Sequence, residues 1–373
     1  MKAIVSRTPL LETLSHVTGV VERRTTLPIS ACVLIEATED AIRICGTDFD
    51  IEVAETLDAD VSAMGSAAVS AHLLQKIVKS LPVGADIELA LTKGGNHLNL
   101  KCGSYQAKLD VLPGSDFPEM GIAVLSTKFS IAAEQLATLL RKTMFAVSTD
   151  ENQYYLSGVY LHVANGKLCF VGTNGHRLAL LGSELPEGAA DMPGVILPRK
   201  TTAEMLKLLS GQDGDVVVEA SPMRFRLTVA TTDEHRVVLT SKLVDGAYPH
   251  YPRVIPPDND ITMVVATDDF TDALNHVGLL VAEEGRAMKL SASDGKLILS
   301  VSSPTAGSAQ EEIAAEYSGQ PMAVGFNARY LLEMAGAVSG KQIQFKLGKP
   351  GTPALITDVG NANATFVIAQ TRV

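Results

Sequence analysis

The sequence predicts an α+β fold built from three repeated domains, each combining two helices with an antiparallel sheet. Segments of helical periodicity recur three times at nearly constant spacing, and the same succession of alternating strands is interleaved with them each time. The length agrees, since 373 residues exceed what one hydrophobic core usually supports.

The first helix of each repeat is read from "TPLLETLSHVTGVV", "AAEQLATLLRKTMFAV" and "TDDFTDALNHVGLLV", where apolar residues such as Leu136, Leu139, Leu140 and Val147 fall at helical spacing. Thr8 before Pro9, and Thr267 before Asp268 and Asp269, have the chemistry of helix starts. Next come the strand pairs "AIRICGTDFDIEVAE", "KLCFVGTNGHRLALL" and "KLILSVSSPTAGSAQEEI", with Gly46 and Gly172 126 residues apart. The second helices follow in "SAHLLQKIVKSL", "TTAEMLKLLSG" and "NARYLLEMAGAVSG". Leu81, Leu209 and Val338 line up there at offsets of 128 and 129. A turn and a strand succeed each: "GADIELAL", "GDVVVEA" and "KQIQFKL". Every repeat closes on a hairpin pattern whose alternating polarity suits half-buried antiparallel strands. The boundaries fall near "VLSTKFS" and near "VIPPDND", where Pro256 and Pro257 interrupt regular structure, giving domains 1–125, 126–255 and 256–373.

Composition excludes several classes. No apolar run approaches the roughly 20 residues that cross a bilayer, and the start "MKAIVSRTPLLETLSHV" lacks the ordered blocks of an export signal, so the expected compartment is the cytoplasm, without membrane association. Cys32, Cys45, Cys102 and Cys169 are scattered, with no Cys-x-x-Cys and no zinc spacing, and read as buried thiols. No metal and no cofactor is expected. A net charge of −11 argues against a protein coated in nucleic acid and leaves room for one locally basic surface.

The motif "GTNGHRLAL" sets His176 and Arg177 after a glycine turn, in a strand-turn-strand position shared by all three repeats although the Gly-His-Arg triplet occurs only in the second. A hydrolase centred on His176 needs a nucleophile and an orienting carboxylate. The chain has no Gly-x-Ser-x-Gly elbow and no His-Glu-x-x-His helix, and "GAVSGKQ" carries Gln342 where a phosphate loop needs Ser or Thr. Lys76, Lys79, Arg141, Lys142, Arg199, Lys200 and Lys207 lie on repeated helices, with Arg23 and Arg24 in a nearby loop. They read either as a nucleic-acid-facing surface or as solvated helix faces. Tyr154 and Tyr155 read either as an exposed contact pair or as packing residues. A ligand-free structural repeat protein is the remaining alternative.

The chain resembles the bacterial DNA polymerase III beta subunit family, the sliding clamps, along its whole length. The signatures are "TLPI" after Arg24, "GTDFDIEV", "LPGSDFPEM", "YYLSG", "GTNGHRLAL", "PRK", "SKLVDGAYPHYPRVIP" and "GFNARYLLE", in the family's order. The resemblance implies the DNA clamp fold and a head-to-tail homodimer closed into a ring that encircles duplex DNA. It implies a processivity factor, not an enzyme. By the same resemblance, DNA contacts fall on Arg24, Lys79, Tyr154, Tyr155, Arg199 and Lys200. A hydrophobic groove receives short linear motifs from the replicative polymerase, the clamp loader and repair proteins. Its implied positions are Leu156, Thr173, Gly175, His176, Arg177, Leu178, Pro249, Arg253, Val254, Tyr330, Pro353, Val367 and Ala369. The chain ends "FVIAQTRV", with Ala369 and Gln370 where better-known members often have Met and Pro, so the lip of the groove is expected to be smaller.

Overall fold

The computed structural model describes residues 1–23, 25–121, 124–231, 235–281, 287–303, 307–317 and 319–372. The first repeat runs β1 (Lys2–Ser6), α1 (Arg7–Val17), β2 (Cys32–Ala37), β3 (Ala41–Thr47), β4 (Ile51–Asp58), β5 (Asp60–Ala63), β6 (Gly65–Ser70), α2 (Ala71–Ser80), β7 (Asp86–Leu91), β8 (His97–Cys102) and β9 (Tyr105–Pro113). The second runs β10 (Thr127–Ala132), α3 (Ala133–Met144), β11 (Gly158–Ala164), β12 (Lys167–Thr173), β13 (Arg177–Glu184), β14 (Val195–Pro198), α4 (Arg199–Leu208), β15 (Asp215–Ala220), β16 (Arg224–Ala230) and β17 (Arg236–Lys242). The third runs β18 (Ile261–Ala266), α5 (Thr267–Gly278), β19 (Ala287–Ser293), β20 (Lys296–Ser303), β21 (Gly307–Ala314), β22 (Glu316–Tyr317), β23 (Met322–Asn327), α6 (Ala328–Ala335), β24 (Gln342–Leu347), β25 (Ala354–Asp358) and β26 (Asn361–Ile368). The helices and strands read from the periodicity are present in the order expected.

Helix α5 begins at Thr267 as read, and α1 begins at Arg7, one residue before Thr8. Ser6 and Ala266 occupy the cap positions of α1 and α5, and neither supplies a side-chain cap. Thr267 instead lies inside the first turn, where its hydroxyl donates to the Gly340 carbonyl at 2.7 Å. The helix start is fixed by this tertiary contact, which the local cap pattern does not reveal.

The chain condenses into two compact units. One comprises Met1–Ala137, Pro186–Pro193 and Ala203–Leu243, and the other Thr138–Leu185, Gly194–Thr202 and Val244–Val373. In the first unit a thirteen-stranded sheet has the order β10-β15-β16-β17-β4-β3-β2-β6-β9-β8-β7-β1-β5. The second unit holds a nine-stranded sheet, β14-β11-β12-β13-β26-β25-β24-β18-β22, and a four-stranded sheet, β21-β20-β19-β23. Every strand pairing is antiparallel.

The glycines spaced 126 residues apart have one physical cause. A Cβ on Gly46 would stand 2.6 Å from the Val17 carbonyl at the end of α1, and a Cβ on Gly172 would stand 2.2 Å from the Thr143 carbonyl in α3. Both separations are closer than a methyl group permits. In the first two repeats, therefore, the end of the first helix lies directly on the strand that leads into the motif turn.

All four cysteines are buried and unpaired, and burial pushes the Cys45 thiol far above its ordinary range. Among the described residues no helix is long and apolar enough to cross a membrane, and no cluster of His, Cys, Asp and Glu could hold a metal ion.

Candidate functional site

The turn between β12 and β13 is held by a cage of side-chain-to-backbone bonds. Asn174 Oδ1 accepts from the backbone N–H of His176 and of Arg177 at 3.0 and 3.1 Å, and Thr173 Oγ1 donates to the Arg177 carbonyl at 2.6 Å. Gly175 has φ +83°, a left-handed conformation that costs glycine least. The cage aims His176 outward, where its ring is exposed, and its carbonyl accepts from Ala369 N–H at 2.8 Å. Among the described residues no side chain hydrogen-bonds the His176 imidazole.

Arg177 has entirely different surroundings. Only 8% exposed, it bonds the Glu333 carboxylate and the Phe145 carbonyl, and its guanidinium lies 4.3 Å from the Tyr330 ring centroid and 5.2 Å from that of Phe145. A guanidinium can stack and pair at once because it is planar and carries its donors in a fork. Glu333 also accepts from Arg329 Nε at 3.1 Å. The sequence motif set His176 and Arg177 together, whereas the fold sends one side chain out and the other inward.

Strand register places the apolar members of the site. Leu355, Val367, Leu178 and Thr173 stand opposite one another on four successive strands. Two residues along, Thr357, Thr365, Leu180, Val171 and Tyr160 form the next row of the same face. The intervening residues Ile356, Phe366 and Ala179 point to the other side and are completely buried. Val171, Leu178 and Val367 form a buried cluster, and Tyr160, Leu180, Tyr248, Tyr251, Ile255 and Leu355, themselves partly exposed, pack against it. The result is an apolar strip along β13 and β26, with a buried floor and half-buried flanking side chains.

An aromatic group that the sequence reading missed borders this strip. Tyr160 stacks between His162 and Tyr248, with both centroid distances 4.5 Å, and His162 Nε2 hydrogen-bonds the Tyr251 hydroxyl at 3.0 Å. Burial lowers the pKa of His162, so its imidazole resists protonation, and pushes the Tyr251 phenol up to about 12. His162 Nδ1 is buried without a partner. The signal was available: Tyr160 and His162 alternate along one strand, and "AYPHY" concentrates aromatics in a chain that has few.

The remaining sequence-implied positions are dispersed. Leu156 is buried at the end of the turn Glu151–Leu156, outside the cluster. Pro249, Arg253 and Val254 are exposed on or beside the turn Tyr251–Val254. Pro353 is half-buried, and its carbonyl accepts from Asn259 Nδ2 at 2.9 Å. Tyr330 is half-buried and accepts from Asn174 Nδ2 at 3.2 Å. Ala369 is half-buried, and the following Gln370 Oε1 accepts from Gly351 N–H at 2.9 Å.

Of the implied DNA contacts, Arg24 lies outside the described residues. Lys79 is exposed in the last turn of α2, in the first unit. Arg199 and Lys200 are exposed at the start of α4, and Tyr154 is exposed with its ring edge-on to half-buried Tyr155, centroids 5.7 Å apart. Tyr154 and Arg199 share a depression of ≈ 360 Å³ whose wall includes Asp150 and Glu151. Lys142 departs from the solvated-face reading: its ammonium bonds Ser339 Oγ, and desolvation lowers its pKa against the opposing pull of Asp358.

A repeated two-helix fold joined by continuous antiparallel sheets, with an apolar strip at one seam, defines the DNA clamp class. Models of the DNA polymerase III beta subunit match its N-terminal domain to residues 1–121, its central domain to 130–250 and its C-terminal domain to 252–372. The chain belongs to the bacterial DNA polymerase III beta subunit family, the beta sliding clamps. It is 39% identical over 377 residues to the beta sliding clamp of Caulobacter vibrioides, covering 100% of both chains. Among solved structures, the sliding clamp of Bartonella birtlesii bound to griselimycin is similar at TM-score 0.95 and 40% identity, covering 100% of both chains. That of Pseudomonas aeruginosa bound to griselimycin is similar at 0.93 and 33%, again covering 100% of both.

Proposed function

We propose that the chain is a DNA polymerase processivity factor: two copies close head to tail into a ring that slides on duplex DNA and tethers its partners through the strip along β13 and β26. The observation that carries this reading is the Leu178–Val367 row, an apolar floor flanked by partly exposed hydrophobics and placed polar groups, in a chain related to sliding clamps from end to end. Short linear motifs from a replicative polymerase, a clamp loader and repair proteins bind surfaces of this chemistry. The role is one of binding, in the cytoplasm, and His176 contributes to the rim of the groove without catalysing anything.

The sequence repeats 1–125, 126–255 and 256–373 are the three domains in this reading, six per ring. Each copy offers two strand edges for the subunit interface. Among the described residues, Tyr105–Asp110 of β9 is paired only to β8, and β21 only to β20. Unpaired edges invite a further strand, and a heterologous interface that closes makes a ring.

DNA is retained by topology, so its interactions with the ring need only be weak. Lys79, Tyr154, Tyr155, Arg199 and Lys200, with Arg24, meet the phosphate backbone without reading bases. Overall negative charge then discourages tight sequestration. Analytical ultracentrifugation tests the assembly: the expected species has about twice the 39.5 kDa chain mass, and monomer alone at micromolar concentration refutes it.

A further inference from the structure

The first unit contains the same seam as the groove, built to the same plan. Strand β4 pairs with β17 as β13 pairs with β26, and Glu52 opposite Thr240 takes the place of Leu178 opposite Val367. Both Glu52 and Leu178 have a threonine as the other neighbour, Thr47 and Thr173. The preceding turns carry the same cage: Asp48 Oδ1 accepts from Asp50 N–H at 3.0 Å and from Ile51 N–H at 2.7 Å, as Asn174 does for His176 and Arg177. Phe49 holds φ +74° where Gly175 holds +83°.

The floors differ. Both are buried, but Leu178 packs in an apolar cluster with Val171 and Val367, whereas Glu52 is a carboxylate only 9% exposed. Its Oε2 accepts from Met120 N–H at 2.9 Å, and its Oε1 lies 3.7 Å from the Arg43 guanidinium. The opposing Thr240 is buried.

We propose that Glu52, with Thr240, is a specificity-determining residue: it closes the β4–β17 seam to apolar peptides and restricts each chain to one partner groove. An apolar side chain entering this seam would displace a backbone donor and an arginine from a buried carboxylate and offer it nothing in return, a cost that has no counterpart over Leu178. Selectivity between the two seams thus arises from a repulsive floor in one as much as from an attractive floor in the other. The inference rests on the reading of the β13–β26 strip as the partner groove.

Fluorescein-labelled griselimycin, a compound that sliding clamps of two relatives bind, serves as the probe, with stoichiometry read by anisotropy titration of the full chain. The unaltered chain is expected to bind one probe, and Leu178→Glu none. If Leu178→Glu still binds one, the groove reading itself fails. In the Leu178→Glu background, Glu52→Leu with Thr240→Val is expected to restore one probe per chain, at least 100-fold tighter than Leu178→Glu alone. Glu52→Met, closest to glutamate in length, carries the same expectation should the first variant misfold. A cooperatively folded variant that binds no probe overturns the proposal. Failure of both variants to fold overturns it too, because Glu52 would then be required for folding and not for selectivity.

Discussion

The guanidinium of Arg177 lies over the ring of Tyr330 at 4.3 Å, joining the first residue of β13 to helix α6. This stacking divides the Gly-His-Arg motif into a structural residue and a surface residue. Arg177→Ala removes it and leaves Glu333 facing Arg329 alone, so the variant is expected to cost about 2 kcal/mol of stability. Arg177→Lys is not expected to rescue, since an ammonium cannot stack and fork at once. His176→Ala is expected to leave the melting transition in place while weakening griselimycin binding, as read by parallel thermal denaturation and anisotropy.

His162 makes stability depend on pH. Its folded pKa lies below the ordinary 6.5 because burial disfavours the imidazolium. Between that lowered value and 6.5 the unfolded chain binds more protons than the folded one, so stability is fully present above pH 6.5 and falls as pH drops toward the folded value. His16, His97, His235 and His276 face carboxylates in both proteins, so the comparison is with His162→Phe. Urea denaturation of both proteins from pH 7.5 to 5.0 is expected to show a shallower acid-side loss in His162→Phe.

Much of the fold was legible because its signals are local and repeated. Helical spacing around Leu136 and Leu140, the alternation in β16 and β17, and the paired glycines Gly46 and Gly172 each report a nearby constraint. The direction of Arg177 was not legible, since it depends on Tyr330 and Glu333, some 150 positions along the chain. The stack of His162, Tyr160 and Tyr248 left a local trace in the aromatics of "AYPHY", but its pairing joins a strand to a distant loop. The bond from Lys142 to Ser339 fits neither of the two readings left open for it, because its partner is likewise remote.

The proposed groove can be given a larger lip at Ala369. Ala369 is half-buried, and its N–H bond to the His176 carbonyl does not involve its side chain. Ala369→Met is expected to strengthen griselimycin binding by ~1 kcal/mol, about fivefold, if the added chain buries roughly 40 Å² of apolar surface. A competition titration against the unaltered chain reads the difference.

Reversing the charges of Arg24, Lys79 and Lys200 together is expected to weaken retention on DNA independently of base sequence. The slope of log affinity against log salt is expected to flatten by about one for each phosphate that is no longer neutralised. Dimer mass should be unaltered. Retention assays across a salt series on two unrelated sequences provide the check.

Topological retention is the central claim, and linearisation tests it most directly. The chain is loaded onto a nicked circular plasmid by a clamp loader, separated from free protein by gel filtration at moderate salt, and the plasmid is then cut once. Encirclement predicts that the protein co-elutes with the circle and is released when free ends appear. Continued co-elution with the linear DNA at the same salt would contradict it, because the protein would then be held by direct attraction to the DNA and not by its ring.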